Sequence, residues 1–122
     1  MRTPTIDAAE FLAEMDGGKQ PCVLDVRAAA DYEAGHVPGS RNVPVHELGR
    51  RMKDLPAVKV ARILVIAEPG RRGEAACNFL ALVGYADVAL VAEGIAAWTR
   101  PLETGPEAPR PAAGPELRVI PN

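Results

Sequence analysis

The chain has 122 residues, 14 basic and 16 acidic side chains, a formal charge of −2 and 48% apolar residues, which suits one domain with a modest core and excludes a disordered chain. The near-neutral balance, with no basic cluster beyond Arg50, Arg51 and Lys53, argues against a nucleic-acid binder that works by phosphate neutralisation, and no apolar run approaches the roughly 20 residues of a membrane span. Two cysteines, Cys22 and Cys77, are too few for a disulfide scaffold or a zinc site, so neither metal nor cofactor is expected; MRTPTIDAAEF has no apolar secretory segment, and the expected address is cytoplasmic.

In chain order, Asp7 followed by Glu10 forms a capping box that opens a helix over 8–15. Phe11, Leu12 and Met15 share one face of it, and Gly17-Gly18 stops it. Cys22-Val23-Leu24-Asp25-Val26 is a short continuous apolar run, the pattern of a strand buried on both faces. One or two helical turns over 29–34 end at Gly35, Pro38-Gly39 makes a turn, and a short strand is predicted over 41–43. Leu48, Met52 and Leu55 predict a helix over 46–54, and Ile63-Leu64-Val65-Ile66 a second buried strand. After a turn at Gly70, a helix over 71–83 carries Ala75, Ala76, Phe79, Leu80 and Val83, with Gly84 at its C′ position. Val88-Ala89-Leu90-Val91 is the last strand, and Ile95, Ala97 and Trp98 lie on a final short helix. Strands alternating with helices imply an α/β domain, its mostly parallel sheet covered on both faces.

Six of the 12 prolines lie in residues 101–122, so the domain is predicted over 1–100 with a proline-rich tail after it. That composition reads as a flexible tail; the alternative is that Leu117, Val119 and Ile120 dock onto the domain or onto a second subunit.

Ligands of parallel sheets sit beyond the carboxyl ends of the strands. There the strand over 62–66 runs into Ala67-Glu68-Pro69-Gly70-Arg71-Arg72-Gly73 and then into a helix. A tight loop feeding a helix N-terminus converges unpaired backbone N–H groups and the positive end of the helix dipole. That makes a cradle for a small anion, to which Arg71 and Arg72 add charge. A glycine at this turn is common in α/β proteins, so the loop alone is a weak signal.

Its surroundings are more specific. Leu24-Asp25-Val26-Arg27 and the stretch Asp31-Tyr32-Glu33-Ala34-Gly35-His36-Val37-Pro38-Gly39-Ser40-Arg41-Asn42-Val43-Pro44 resemble the first signature of rhodanese-like domains. Gly70-Arg71-Arg72, the turn Gly84-Tyr85-Ala86-Asp87-Val88 and Glu93-Gly94-Ile95-Ala96-Ala97-Trp98 resemble the rest, in the same order over about residues 5–100. The resemblance implies about five mostly parallel strands with helices on both faces, and a sulfurtransferase ancestry. It also implies a cysteine nucleophile at the first loop position, whose thiolate takes up a sulfane sulfur as a persulfide. Here that position is Ala67, which neither ionises nor holds sulfur. Phosphatase-like and arsenate-reductase-like relatives need the same thiolate and fall with it.

Neither cysteine is placed to substitute. Cys77 is seven residues past Gly70, about 10 Å down the helix, near its apolar stripe, and reads as a buried inert thiol. Cys22 begins its strand, about 13–16 Å from the strand's far end. Pro69 removes one N–H from the cradle, and Glu68 sets a carboxylate at its mouth, to repel an anion or to pair with Arg71 or Arg72. The loop is therefore either a site turned to another ligand or one kept only for its fold. Asp25 and Arg27 read as ties between loops, Glu33 as a partner for Arg27, and His36 as a hydrogen-bonded turn residue. His46 opens a surface helix, Arg50, Arg51 and Lys53 form a solvated basic face, and Trp98 packs the last helix onto the sheet.

The sequence thus predicts a catalytically inactive rhodanese-like protein acting as a binding or regulatory module. Its partner protein or small anion would sit at residues 67–73. The alternative is a sulfurtransferase that uses Cys77 or a partner's cysteine.

Overall fold

The computed structural model describes residues 3–107. Five parallel strands, β1 (Thr5–Ile6), β2 (Cys22–Asp25), β3 (Arg41–Asn42), β4 (Arg62–Ile66) and β5 (Asp87–Val91), lie in the order β1-β5-β4-β2-β3. Three α-helices, α1 (Ala8–Met15), α2 (Ala29–Ala34) and α3 (Arg72–Leu82), lie between them in the chain, supplying the long connections that parallel pairs need. The α/β fold read from the sequence is the observed one.

The central strand β4 shows why its apolar run is unbroken. Ile63 and Val65 face a core shared with Ala76, Cys77 and Leu80 of α3, whereas Leu64 and Ile66 face a second core with Phe11 of α1 and Ala97. A strand covered on both faces leaves no position for an exposed polar side chain. Asp7 and Glu10 exchange the two hydrogen bonds of the capping box, each 2.8 Å. At the C-terminal end of α3, Tyr85 N–H donates to the Leu80 carbonyl and Gly84 N–H to that of Ala81, with Gly84 at φ +106°. This is the Schellman closure, and it confirms Gly84 at C′.

Three of the expected elements differ in the structure, and the two-residue strand β1 has no counterpart among them. The helix predicted over 46–54 is two 3-10 segments, Val45–Arg50 and Met52–Asp54, broken at Arg51. With Gly49 inside and no side-chain cap at Pro44, so short a segment lacks what an α-helix needs to nucleate. Leu48 and Leu55 are buried nonetheless, and Met52 is not. The buried stripe of α3 is Gly73, Ala76, Cys77 and Leu80, so Cys77 is a core residue while Ala75 faces water. The final helix is a 3-10 turn, Gly94–Ala97, with Trp98 tilted against Phe11 at 5.8 Å between rings.

Residues 101–107 lie against the domain. Glu103 and His36 exchange backbone hydrogen bonds of 2.9 Å, Gly105 N–H donates to the Glu33 carbonyl, and the Glu107 carboxylate accepts from Asn42 N–H on the edge strand β3. Leu117, Val119 and Ile120, named above as docking candidates, lie outside the described residues. Among the described residues no helix is long and apolar enough to cross a membrane.

Candidate functional site

Beyond Ile66, at the carboxyl end of the central strand, the chain turns sharply into α3. Gly70 makes the turn possible: its φ of +118° is open to glycine and strained for residues with a Cβ. Helix α3 then starts with Arg71 as N-cap and no capping side chain. The N–H groups of its first turn therefore have no intrahelical acceptor. Ala67 is 7% exposed and its methyl forms the floor beneath this turn. A Cβ built on Gly73 would stand 3.1 Å from that methyl and 2.7 Å from Leu90 Cδ1. The helix can approach the sheet this closely only because position 73 carries no side chain.

The loop is one wall of a cavity of about 140 Å³, and residues 90–94 at the end of β5 are the other. Gly94, at φ +58°, brings its Cα so close that a Cβ there would lie 2.5 Å from the Ala67 carbonyl oxygen. Sequence reasoning found the first wall and missed the second. The signal was available, because β5 ends at the same edge of the sheet as β4 and the rule that places ligands there applies to both loops.

Of the seven residues singled out in the sequence, Ala67, Glu68, Pro69, Gly70 and Gly73 line this cavity. Arg71 and Arg72 do not; both are exposed, and Arg72 Nη1 lies 3.9 Å from Glu68 Oε1, a loose ion pair across the loop that water screens. The charged side chains of the lining are Glu68 and Glu93.

Behind the site, a buried ionic cluster ties the neighbouring loops together. Asp25 Oδ1 accepts from the backbone N–H and Nε of Arg27 at 3.0 Å, and Oδ2 from Nη2 at 2.8 Å. Arg27 Nη2 also donates to the Gly35 carbonyl, so the guanidinium goes to Asp25 and Gly35, and the pairing with Glu33 expected from the sequence does not form. Asn42 Nδ2 donates to the carbonyls of Asp25 and Arg27. Val26 N–H donates to Ile66 O at 2.9 Å, which couples this cluster to the residue before Ala67. His36, 4% exposed, donates from Nδ1 to the Tyr32 carbonyl and stacks on the Tyr32 ring at 3.8 Å, the structural role expected of it. Glu47 and Asp54 pair with Arg51, and Glu47 with Arg50, which neutralises much of the basic face.

Neither cysteine forms a disulfide. Cys77 is 4% exposed, and burial, aided by the Glu74 charge, pushes its thiol from an ordinary 9.0 to about 11. Two units correspond to about 100-fold less thiolate at neutral pH, so native Cys77 is expected to alkylate about 100-fold more slowly than in the unfolded chain, measured by peptide mass spectrometry. The folded state holds this proton more tightly. Its stabilising effect is therefore complete below pH 9 and declines as the pH rises towards 11.

The parallel five-stranded sheet and the loop-to-helix turn on its central strand define an α/β domain with a pocket at the carboxyl edge. The model of the rhodanese-like domain matches residues 7–101, and the chain belongs to that family. It is 31% identical over 96 residues to the putative sulfur carrier protein YrkF of Bacillus subtilis, covering 79% of this chain and 51% of that protein. A sulfurtransferase of Allochromatium vinosum is 27% identical over 95 residues, with 78% of this chain and 87% of that one covered. The chain spans about half of YrkF and 25% of the adenylyltransferase and sulfurtransferase uba4 of Ogataea parapolymorpha. Among solved structures, the rhodanese-like domain of the Anabaena protein Alr3790 superposes with a TM-score of 0.74 at 26% identity, covering 99% of this chain and 94% of that one.

Proposed function

We propose that this rhodanese-like domain forms no persulfide and works as a binding module, engaging a partner protein through the face of residues 67–73. A single observation supports the reading: the side chain on the floor of the loop is the methyl of Ala67. Sulfur transfer from thiosulfate needs a thiolate to attack the sulfane sulfur, break its bond to sulfite and keep the sulfur as a persulfide for the acceptor. A hydrocarbon at that point performs none of these steps, and Cys77 is buried with its thiol held protonated.

The names of the curated relatives favour a second reading, in which a partner's cysteine enters the cavity and this domain lends its N–H groups to a sulfur transfer. One experiment addresses both. After incubation with thiosulfate, intact-mass spectrometry is expected to show no gain of about 32 Da, one sulfur atom, and thiocyanate production from added cyanide is expected to match a protein-free control. A sulfur adduct on Cys77, or turnover by the isolated chain, overturns the proposal. Turnover that appears only with a cysteine-bearing partner establishes the second reading.

A further inference from the structure

We infer that Asp16-Gly17 is a modification site, where the chain converts spontaneously to isoaspartate, and that Arg100 sets how fast it does so. In this reaction the Gly17 backbone nitrogen attacks the side-chain carbonyl carbon of Asp16. The nitrogen gives up its proton, the carboxyl hydroxyl leaves with it as water, and a five-membered succinimide forms. Water then opens the ring at either carbonyl and restores the mass. Opening at one carbonyl regenerates aspartate; opening at the other leaves the main chain running through the side chain, one atom longer. The sequence selects the place. Attack is easiest where the following residue has no Cβ to crowd its nitrogen. Of the six aspartates only Asp16 precedes a glycine; Ala8, Val26, Tyr32, Leu55 and Val88 follow the others. Asp16 is the C-cap of α1, and it, Gly17 and Gly18 are all exposed, so water reaches the ring.

The fold opposes the attack at two points. The backbone of Asp16 is helical, at φ −88° and ψ −6°, and Gly17 N–H donates to the Glu14 carbonyl at 3.1 Å. Swinging the Gly17 nitrogen towards the side chain rotates ψ of Asp16 and breaks that bond. The second point is the carboxyl group, which loses water readily only when neutral. Arg100 Nη1 and Nη2 donate to Asp16 Oδ1 and Oδ2 at 2.8 and 2.7 Å, a two-pronged contact that fixes the side chain and favours its charged form. These hydrogen bonds hold the Asp16 carboxyl below its ordinary value. Arg100 is itself positioned: its guanidinium lies over the Trp98 ring at 5.2 Å, and Trp98 Nε1–H donates to the Pro101 carbonyl at 3.0 Å. An exposed ion pair contributes little to stability. Here it acts on a rate, through the fraction of neutral acid and the freedom of one side chain.

The test incubates the full chain near neutral pH, folded and in urea, beside Arg100→Gln and Gly17→Ala. Peptide mass spectrometry with electron-transfer fragmentation separates the two linkages at position 16. The unfolded parent is expected to accumulate isoaspartate there fastest and the folded parent slowest. Folded Arg100→Gln is expected to exceed the folded parent about 3- to 10-fold, the gain in neutral acid from a rise of about half a unit to one unit in the carboxyl pKa. Molar salt, which screens the exposed pair, is expected to accelerate the folded parent and leave Arg100→Gln unchanged; this arm requires no variant to fold. A Cβ on Gly17 would lie 3.4 Å from Glu14 O and 3.6 Å from Ala13 O, ordinary contacts, so Gly17→Ala is expected to fold and to suppress the product. Equal rates in Arg100→Gln and the parent overturn the inference. So does an unfolded parent that forms no isoaspartate at Asp16, or forms it faster at another aspartate.

Discussion

Asp25→Ala is expected to destabilise the domain by about 3–5 kcal/mol, the cost of stripping one partner from a buried ion pair. The carboxylate is 1% exposed and the guanidinium of Arg27 is 9% exposed. After the substitution the Arg27 head keeps only the Gly35 carbonyl among its present acceptors, and its charge is left uncompensated. Against a total stability of about 5–15 kcal/mol for a domain of this size, that is a large fraction, readable as a lower urea midpoint at unchanged slope. Arg27→Met is expected to cost at least as much. The long arginine stem can carry its head to water when Asp25 is gone, whereas the short aspartate side chain, fixed at the end of β2, cannot follow. A loss below about 1 kcal/mol in both variants would show that the cluster is replaceable and that loop geometry is set elsewhere. The effect reaches the pocket, because the strand end carrying Asp25 is bonded to Ile66, the neighbour of Ala67.

How far the sequence reveals this arrangement depends on the range of the forces involved. Strands β2, β4 and β5 are legible because both-face burial writes an unbroken apolar run into each, and α1 because its capping box is local. Strand β1 leaves no such mark. It is two residues long, and it exists because Leu90 N–H and Ala92 N–H find the carbonyls of Pro4 and Ile6, a partnership more than 80 residues away in the chain. The 3-10 geometry of residues 45–54 is hidden for a related reason. Leu48 and Leu55 are buried in either conformation, so periodicity alone cannot choose between them.

The candidate site divides along the same line. The loop wall is contiguous in sequence and is recovered from its glycine turn and its position after a buried strand. The β5 wall, with Glu93 and Gly94, comes from a distant segment and appears only once β4 and β5 pair. Placing charge is harder still. Arg71 and Arg72 read as cradle residues by proximity in sequence, yet the helix turns them outward, and the carboxylates remain at the mouth. Residue type predicts which charges are near a site, but only backbone direction determines which of them face it.

Ala67→Cys is expected to give weak sulfurtransferase activity, measured against the parent chain under the same conditions. The substitution adds one sulfur atom beside a cavity of about 140 Å³, under the uncapped first turn of α3, so it meets open space and backbone donors. Those donors and the helix dipole lower a thiol's pKa, while Glu68 and Glu93 raise it and Pro69 leaves the cradle one N–H short. The new thiolate should therefore attack thiosulfate, release sulfite and retain a persulfide visible as a gain of about 32 Da, at a rate limited by the acidic mouth. Adding Glu68→Gln is expected to raise the rate about 3- to 10-fold at neutral pH, the thiolate gained from a fall of about half a unit to one unit in pKa. A correctly folded Ala67→Cys variant that takes up no sulfur, with or without Glu68→Gln, would mean that the N–H groups of residues 70–74 do not converge on position 67. The failure to form a persulfide would then lie in the backbone of the loop, and a thiol at position 67 would be insufficient.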